Sequence, residues 1–166
     1  MSYALDDSGA SHPRVAVGSG DVCDPSHLEK EGKVREVGGQ AIWSLSSYKP
    51  DYGIDNLRDD SVDTYWQSEG RKPHMVNIQF QRKTTIEAIY IYVDYTRDDS
   101  FTPREMSVRV GHPFHDLREL IAFNLTRPSG WVRIATRDVY GQPVSTFLVQ
   151  IAVLSNHLNG QDTHVR

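Results

Sequence analysis

The chain has one cysteine, Cys23, among 166 residues. An intramolecular disulfide framework is therefore excluded, and with it a small fold stapled by bridges. There is no Cys-x-x-Cys pair, no G-x-S-x-G elbow and no phosphate-binding P-loop, so the commonest sequence signals of zinc, acyl-transfer and nucleotide chemistry are missing. No run of about 18 apolar residues occurs, which excludes a membrane-spanning helix. Positive charge is in short supply: 18 Lys and Arg against 22 Asp and Glu leave a net charge of -4. Broad binding to nucleic acid or anionic membranes needs clustered cations, so it is not expected. Residues 1–7 lack the basic start and apolar core of a signal peptide, and Ser2 stands where myristoylation requires glycine. The expectation is a soluble protein of a reducing intracellular compartment.

What is present divides at about residue 28. Residues 1–27 are rich in Ser, Gly, Asp and Pro without apolar periodicity. Such a stretch buries too little to offset its ordering entropy and reads as a disordered tail, with Cys23 exposed inside it. Residues 28–166 read as one domain. Leu28-Glu29-Lys30-Glu31 suggests a turn of helix before Gly32, and Ala41-Ile42-Trp43-Ser44-Leu45-Ser46-Ser47 a first strand. A turn-rich connection follows, pinned by Ile54, Leu57 and Val62. Val76, Ile78 and Phe80 alternate with polar residues, as do Met106, Val108 and Val110, and then Ile121, Phe123 and Leu125. Residues 86–93 are apolar on both faces, as expected of a central strand; residues 131–135 and 147–154 complete the series. Strands broken by Gly and Pro turns, without an amphipathic helix, predict an all-β sandwich or jelly roll.

Few groups suggest chemistry. His112 and His115 have metal-pair spacing, but Gly111 and Pro113 put them in a turn, where two surface histidines are the plainer reading. Asp59, Asp60 and Asp63 form an acidic loop with the oxygen ligands a calcium ion takes, yet without EF-hand spacing, and Asp and Ser are ordinary turn formers. Trp43 and Trp66 are expected to pack beside strands rather than stack on a ligand. Residues 156–164 carry donors and acceptors at nearly every position. Asn159-Gly160 suggests a two-residue hairpin turn with positive φ at both residues, whose polar groups either face water or read a ligand. Residues 95–101 mix charge with aromatics, and the two loops would form one polar shelf if they fall at the same end of the sandwich.

Several blocks in order resemble the Doc-domain family. They are Val34-Arg35-Glu36-Val37-Gly38, Ala41-Ile42-Trp43-Ser44-Leu45-Ser46-Ser47, Leu57-Arg58-Asp59-Asp60, Thr64-Tyr65-Trp66-Gln67-Ser68, Val76-Asn77-Ile78-Gln79-Phe80, Lys83-Thr84-Thr85 and Pro128-Ser129-Gly130-Trp131. Gln150-Ile151-Ala152-Val153-Leu154, followed by Asn156-His157, Asn159-Gly160 and Asp162-Thr163-His164, is the most telling. The resemblance implies a galactose-binding-like jelly roll. It also implies a non-catalytic subunit of the anaphase-promoting complex, a ubiquitin ligase of the cell cycle found in nucleus and cytoplasm. The family's ligand loop falls on Asn156, His157, Asn159, Asp162, Thr163 and His164. A second loop, with departures from the family pattern, falls on Asp98, Asp99 and Ser100. The implied partners are core subunits including tetratricopeptide-repeat subunits, a WD-repeat co-activator and destruction-box peptides, with no cofactor, metal, nucleic acid or membrane. Family members continue with another apolar strand and an Ile-Arg tail that docks on a repeat subunit, whereas this sequence stops at Val165-Arg166. A truncated domain would leave its neighbouring strand's N–H and C=O groups unpaired. Two readings from other classes stand beside this one: a glycan-binding sandwich, which needs an aromatic platform such as Tyr95 or Phe101, and a hydrolase using Asp162 and His164.

Overall fold

A computed structural model describes residues 15–17, 24–112 and 114–166. Its strands are β1 (Val15–Val17), β2 (Ala41–Leu45), β3 (Trp66–Gln67), β4 (His74–Ile86), β5 (Ala88–Asp94), β6 (Pro103–Gly111), β7 (Arg118–Leu125), β8 (Ser129–Ala135), β9 (Val144–Asn156) and β10 (His164–Val165). Helices are short: α1 (Pro25–Lys30), α2 (Ile54–Arg58) and α3 (Tyr95–Asp98). The fold is the expected all-β sandwich. One layer is a six-stranded sheet in the order β1, β7, β6, β9, β4, β2. The other is built from the antiparallel pair β5–β8, and β3 and β10 form a further short ladder.

The alternation read in the sequence explains the core. Val76, Ile78 and Phe80 of β4, Met106, Val108 and Val110 of β6, and Val149, Ile151 and Val153 of β9 all project between the layers. There they meet Ile91, Val93, Val132 and Ile134 from β5 and β8. Successive side chains on a strand face opposite ways, so each triplet occupies one face. Burying each such side chain contributes on the order of 1.5–3 kcal/mol. An open apolar cleft of about 1440 Å³ remains between the layers, lined by residues that include Trp66, Ile78, Ile91, Met106 and Trp131.

Several expectations change in detail. Residues 86–93 are divided between two strands: Ile86 ends β4, and β5 is bonded to β8 along one edge. On its other edge Tyr92 exchanges two backbone hydrogen bonds with Arg166, at 2.7 and 3.1 Å. Residues 54–58, expected as loop, form α2, with Leu57 packed on the core. The helical turn near residue 28 begins earlier, at Pro25, because Asp24 accepts the Ser26 N–H and proline suits the first helical position. Within the predicted tail, Val15–Val17 pairs in parallel with β7. Cys23 lies outside the described residues, as does most of that tail.

Registry brings several chain ends to one pole. Asp94 of β5 faces Ser129 of β8, Pro103 of β6 faces Asn156 of β9, and Glu105 of β6 faces Asn124 of β7. A register shift in the β6–β9 pairing between Pro103 and Met106 lies beside that end; bulges of this kind re-aim the chain next to sites.

Candidate functional site

The two loops whose relative placement the sequence left open fall at one end, and a third joins them. After β9 the chain runs through residues 157–163 into β10, and after β5 through α3 and a tight turn into β6. The third is the β7–β8 turn at residues 126–128. His157 connects all three. Its backbone N–H donates to the Thr102 carbonyl at 2.9 Å, and its Nδ1 lies 3.1 Å from the same oxygen. Its Nε2 accepts the Arg127 N–H at 3.3 Å. A carbonyl only accepts and an amide N–H only donates, so this pattern fits a neutral ring with the proton on Nδ1.

Gly160 brings the loops into contact. The hairpin expectation fails here, because positive φ falls on Leu158 (53°) and Asn159 (56°), whereas Gly160 has φ -60°. Glycine is required for another reason: a Cβ at residue 160 would overlap the Ser100 carbonyl. The Asn156 amide then braces the loop from beneath, donating to the Gly160 carbonyl at 3.2 Å and the Asp162 carbonyl at 3.0 Å. Lys72 Nζ also donates to the Gly160 carbonyl, Gln161 Nε2 to the Gly70 carbonyl, and His74 Nε2 lies 2.6 Å from the Gln161 carbonyl.

Below the loops lies a buried charged core. Asp98 takes a two-pronged pair from Arg166, at 2.6 and 3.2 Å, and faces His164 Nδ1 at 3.1 Å. The His164 ring is stacked between Tyr65 (4.0 Å) and Phe101 (4.1 Å), and its Nε2 meets Gln67 Oε1 at 3.0 Å. Burial works to raise the Asp98 carboxyl. The hydrogen bonds from His164 and Arg166, with the Arg166 charge, outweigh it and hold the group below the usual carboxylate range. Burial likewise pushes the Tyr65 hydroxyl up, helped by Tyr52 and Asp98.

The nine predicted site residues therefore divide. Asn156, Thr163, His164 and Asp98 are buried. They act as supports: Thr163 donates its N–H to Ser68 Oγ and its hydroxyl to the Phe101 carbonyl. Asp99 and Asn159 are exposed, and Ser100, His157 and Asp162 are half-buried. Composition did not mark Leu158, 67% exposed at the loop tip, or Arg127, exposed with its guanidinium 5.5 Å from the Tyr95 ring centroid. The one hint of the third loop was the turn signal Pro128-Ser129-Gly130, next to Arg127.

The acidic loop, the two histidines and the two tryptophans lie outside these three loops. Asp59 accepts the Ser61 N–H on one oxygen and the Thr64 hydroxyl on the other, while Asp63 pairs with Arg97 at 3.0 Å. His112 is exposed against Phe147, and His115 is exposed. Trp66 is fully buried with its Nε1 on the Ser47 carbonyl; Trp43 bonds the Gly38 carbonyl beneath Arg58. Among the described residues no group of three or more His, Cys, Asp or Glu could hold a metal ion, and no helix is long and apolar enough to cross a membrane.

This geometry can be set beside known proteins. Solved structures of similar shape include the paired CBM32-1 and CBM32-2 domains of Clostridium perfringens ZmpB in complex with GalNAc. Their TM-score is 0.71 at 12% identity, over 95% of this chain and 40% of that one. Another is a CBM32 domain from Clostridium perfringens in complex with GalNAc-β-1,3-galactose, with TM-score 0.62 at 12% identity, over 77% and 92%. At such identities the likeness shows a shared galactose-binding-like jelly roll. Sequence relatives are far nearer. Anaphase-promoting complex subunit 10 of Homo sapiens is 56% identical over 143 residues, covering 86% of this chain and 77% of the relative. Its Drosophila melanogaster counterpart is 55% identical over 143 residues, covering 86% and 73%. Subunit DOC1 of Saccharomyces cerevisiae is 32% identical over 128 residues, covering 76% and 51%. The family model described as anaphase-promoting complex, subunit 10 (APC10) matches residues 14–166, a span that includes all three loops of the rim. By fold, by extent of match and by identity, the chain belongs to the anaphase-promoting complex subunit 10 family.

Proposed function

We propose that the three-loop rim reads destruction-box peptides within the anaphase-promoting complex, together with a WD-repeat co-activator, and so raises the number of ubiquitins added per encounter during the cell cycle. One observation carries this reading. Of five non-glycine residues with positive φ among the described residues, four lie on the rim: Asp99, Arg127, Leu158 and Asn159. Strained backbone persists only where its surroundings over-determine it, and it concentrates at recognition sites. A rim held this firmly presents Asn159, Asp99 and Leu158 without an ordering cost on binding.

Modest contacts suffice for such a role. Two receptors gripping one peptide combine through effective concentration, so neither needs to be tight. Residence at the ligase lengthens, and more transfers follow. Assembly with tetratricopeptide-repeat subunits, and work in nucleus and cytoplasm, belong to the same reading.

The other two classes draw less support. His164 is enclosed by Asp98, Gln67, Tyr65 and Phe101, so it forms no hydrolytic pair with Asp162, which instead accepts from Ser68. A sugar platform needs a free aromatic face, but Phe101 stacks on His164 and Tyr95 lies beneath Arg127 and against His157. The test is a reconstituted ligase carrying Asn159→Ala with Asp99→Ala. Chains added per binding event should shorten, while ubiquitin transfer without substrate stays at the wild-type rate. Unchanged processivity would remove the reading.

A further inference from the structure

We infer that Arg127 gives the rim a subsite for an anionic side chain of the bound peptide, a carboxylate or a phosphorylated hydroxyl; this rests on the reading of the rim as a peptide site. Arg127 has φ 42° and precedes Pro128. Left-handed backbone is costly for a residue with a Cβ, and a following proline favours extended geometry, so two local preferences are overridden here. The surroundings that override them are the binding loops themselves. The Arg127 N–H is held by His157 Nε2, and the Pro128 carbonyl accepts the Tyr95 N–H at 2.8 Å.

The side chain is placed as firmly as the backbone. Its guanidinium lies over Tyr95, and Tyr95 meets the His157 ring edge-on at 5.1 Å. A cation resting on an aromatic face keeps its N–H groups free to donate. Two neighbouring arginines are already committed, Arg97 to Asp63 and Arg166 to Asp98. Among the described residues no carboxylate forms an ion pair with Arg127. The wider field offers an acidic peptide nothing, because the chain carries a net charge of -4 and Asp99 and Asp162 stand on the adjacent loops. Attraction for an acidic residue has to be local, and Arg127 can supply it in a two-pronged geometry suited to carboxylate or phosphate.

The test measures binding of fluorescent destruction-box peptides to the reconstituted ligase with its co-activator. Glutamine, glutamate or phosphoserine is placed in turn at each position flanking the box. At one position the glutamate peptide should bind about two- to fivefold tighter than its glutamine twin, the range of an exposed ion pair. The gain should shrink as salt is raised. Arg127→Gln should abolish the difference, and Arg127→Glu should reverse it. A gain with phosphoserine alone would support the subsite and assign it to phosphorylated ligands. Equal binding of all three peptides at every position would overturn the inference, as would discrimination that survives in Arg127→Gln. If binding of the glutamine peptide also ignores Asn159→Ala, the peptide reading of the rim falls with it; if it depends on Asn159, only the Arg127 subsite is lost.

Discussion

Replacing Gly160 by alanine places one methyl group between two loops of the rim. The new carbon would overlap the Ser100 carbonyl oxygen and lie 2.7 Å from its carbon. Carbon atoms in contact sit about 3.5–4.0 Å apart and the overlapped oxygen is nearer still, so the loops would have to separate by about 1.5 Å. The obstacle is backbone, fixed by the Thr102 N–H to Asp99 carbonyl bond at 3.1 Å, and cannot swing aside as a flexible side chain would. Two effects compete. With φ -60° and ψ 146° the position suits any residue, so the lower unfolded-state entropy of alanine would contribute about 0.4–1 kcal/mol of stability were there space. Forced overpacking costs about 1–3 kcal/mol, and a rigid obstacle puts this case near the top. The net expectation is a loss of about 2–2.5 kcal/mol, a fall in Tm of about 4–10 °C for a domain of this size. Thermal and urea unfolding would measure it, with hydrogen exchange at His157 and Gly160 reporting whether the loops have parted. Gly39→Ala is the control, since its nearest atom is the flexible Glu36 Oε2 at 3.5 Å; its stability should stay within about 0.5 kcal/mol of wild type. A Gly160→Ala protein as stable as wild type, with unchanged exchange, would refute the close-approach argument.

Leu158→Gly should separate stability from function. Relieving a left-handed leucine, which costs about 1–2 kcal/mol, outweighs the added freedom of the unfolded chain. Urea midpoints should therefore hold or rise slightly while processivity falls; a fall in both would mean that Leu158 is a packing residue. Asp98→Asn probes the buried charges through pH. Because folding lowers the Asp98 pKa, its ionised form contributes stability that is complete above its unfolded value near 3.8 and is lost as pH falls through the lower folded value. The variant should be less stable than wild type at neutral pH, and the gap should close in acid below about pH 4. A gap that is constant with pH would show that the charge of Asp98 contributes nothing.

Much of the fold was legible because a half-buried strand writes its burial into every second residue. Val76, Ile78 and Phe80, or Met106, Val108 and Val110, could be assigned to a core face with no knowledge of their partners. Strand ends were less legible, since the polar ends of β4 and β9 are fixed by hydrogen bonds to neighbouring strands rather than by side-chain pattern. Residues 86–93 misled for a related reason. The apolar run spans two strands, since β4 ends at Ile86 and β5 begins at Ala88. The polar loop of the candidate site was legible, but not the part each of its side chains plays. Donors and acceptors at residues 156–164 mark a polar loop whether they face a ligand or brace the loop, and Asn156, Thr163 and His164 do the bracing.

The sequence alone determined the all-β class and, through blocks scattered across the chain, the family. These are local patterns of period, turn residue and motif, carried by residues near one another. Only the tertiary structure decided that Gly160 is glycine because Ser100 lies against it, that Asp98 is neutralised by Arg166 from 68 positions away, and that Arg127 joins the rim. Such contacts close between residues distant in the chain, and their partners are chosen by the packing of two sheets, which no local pattern records.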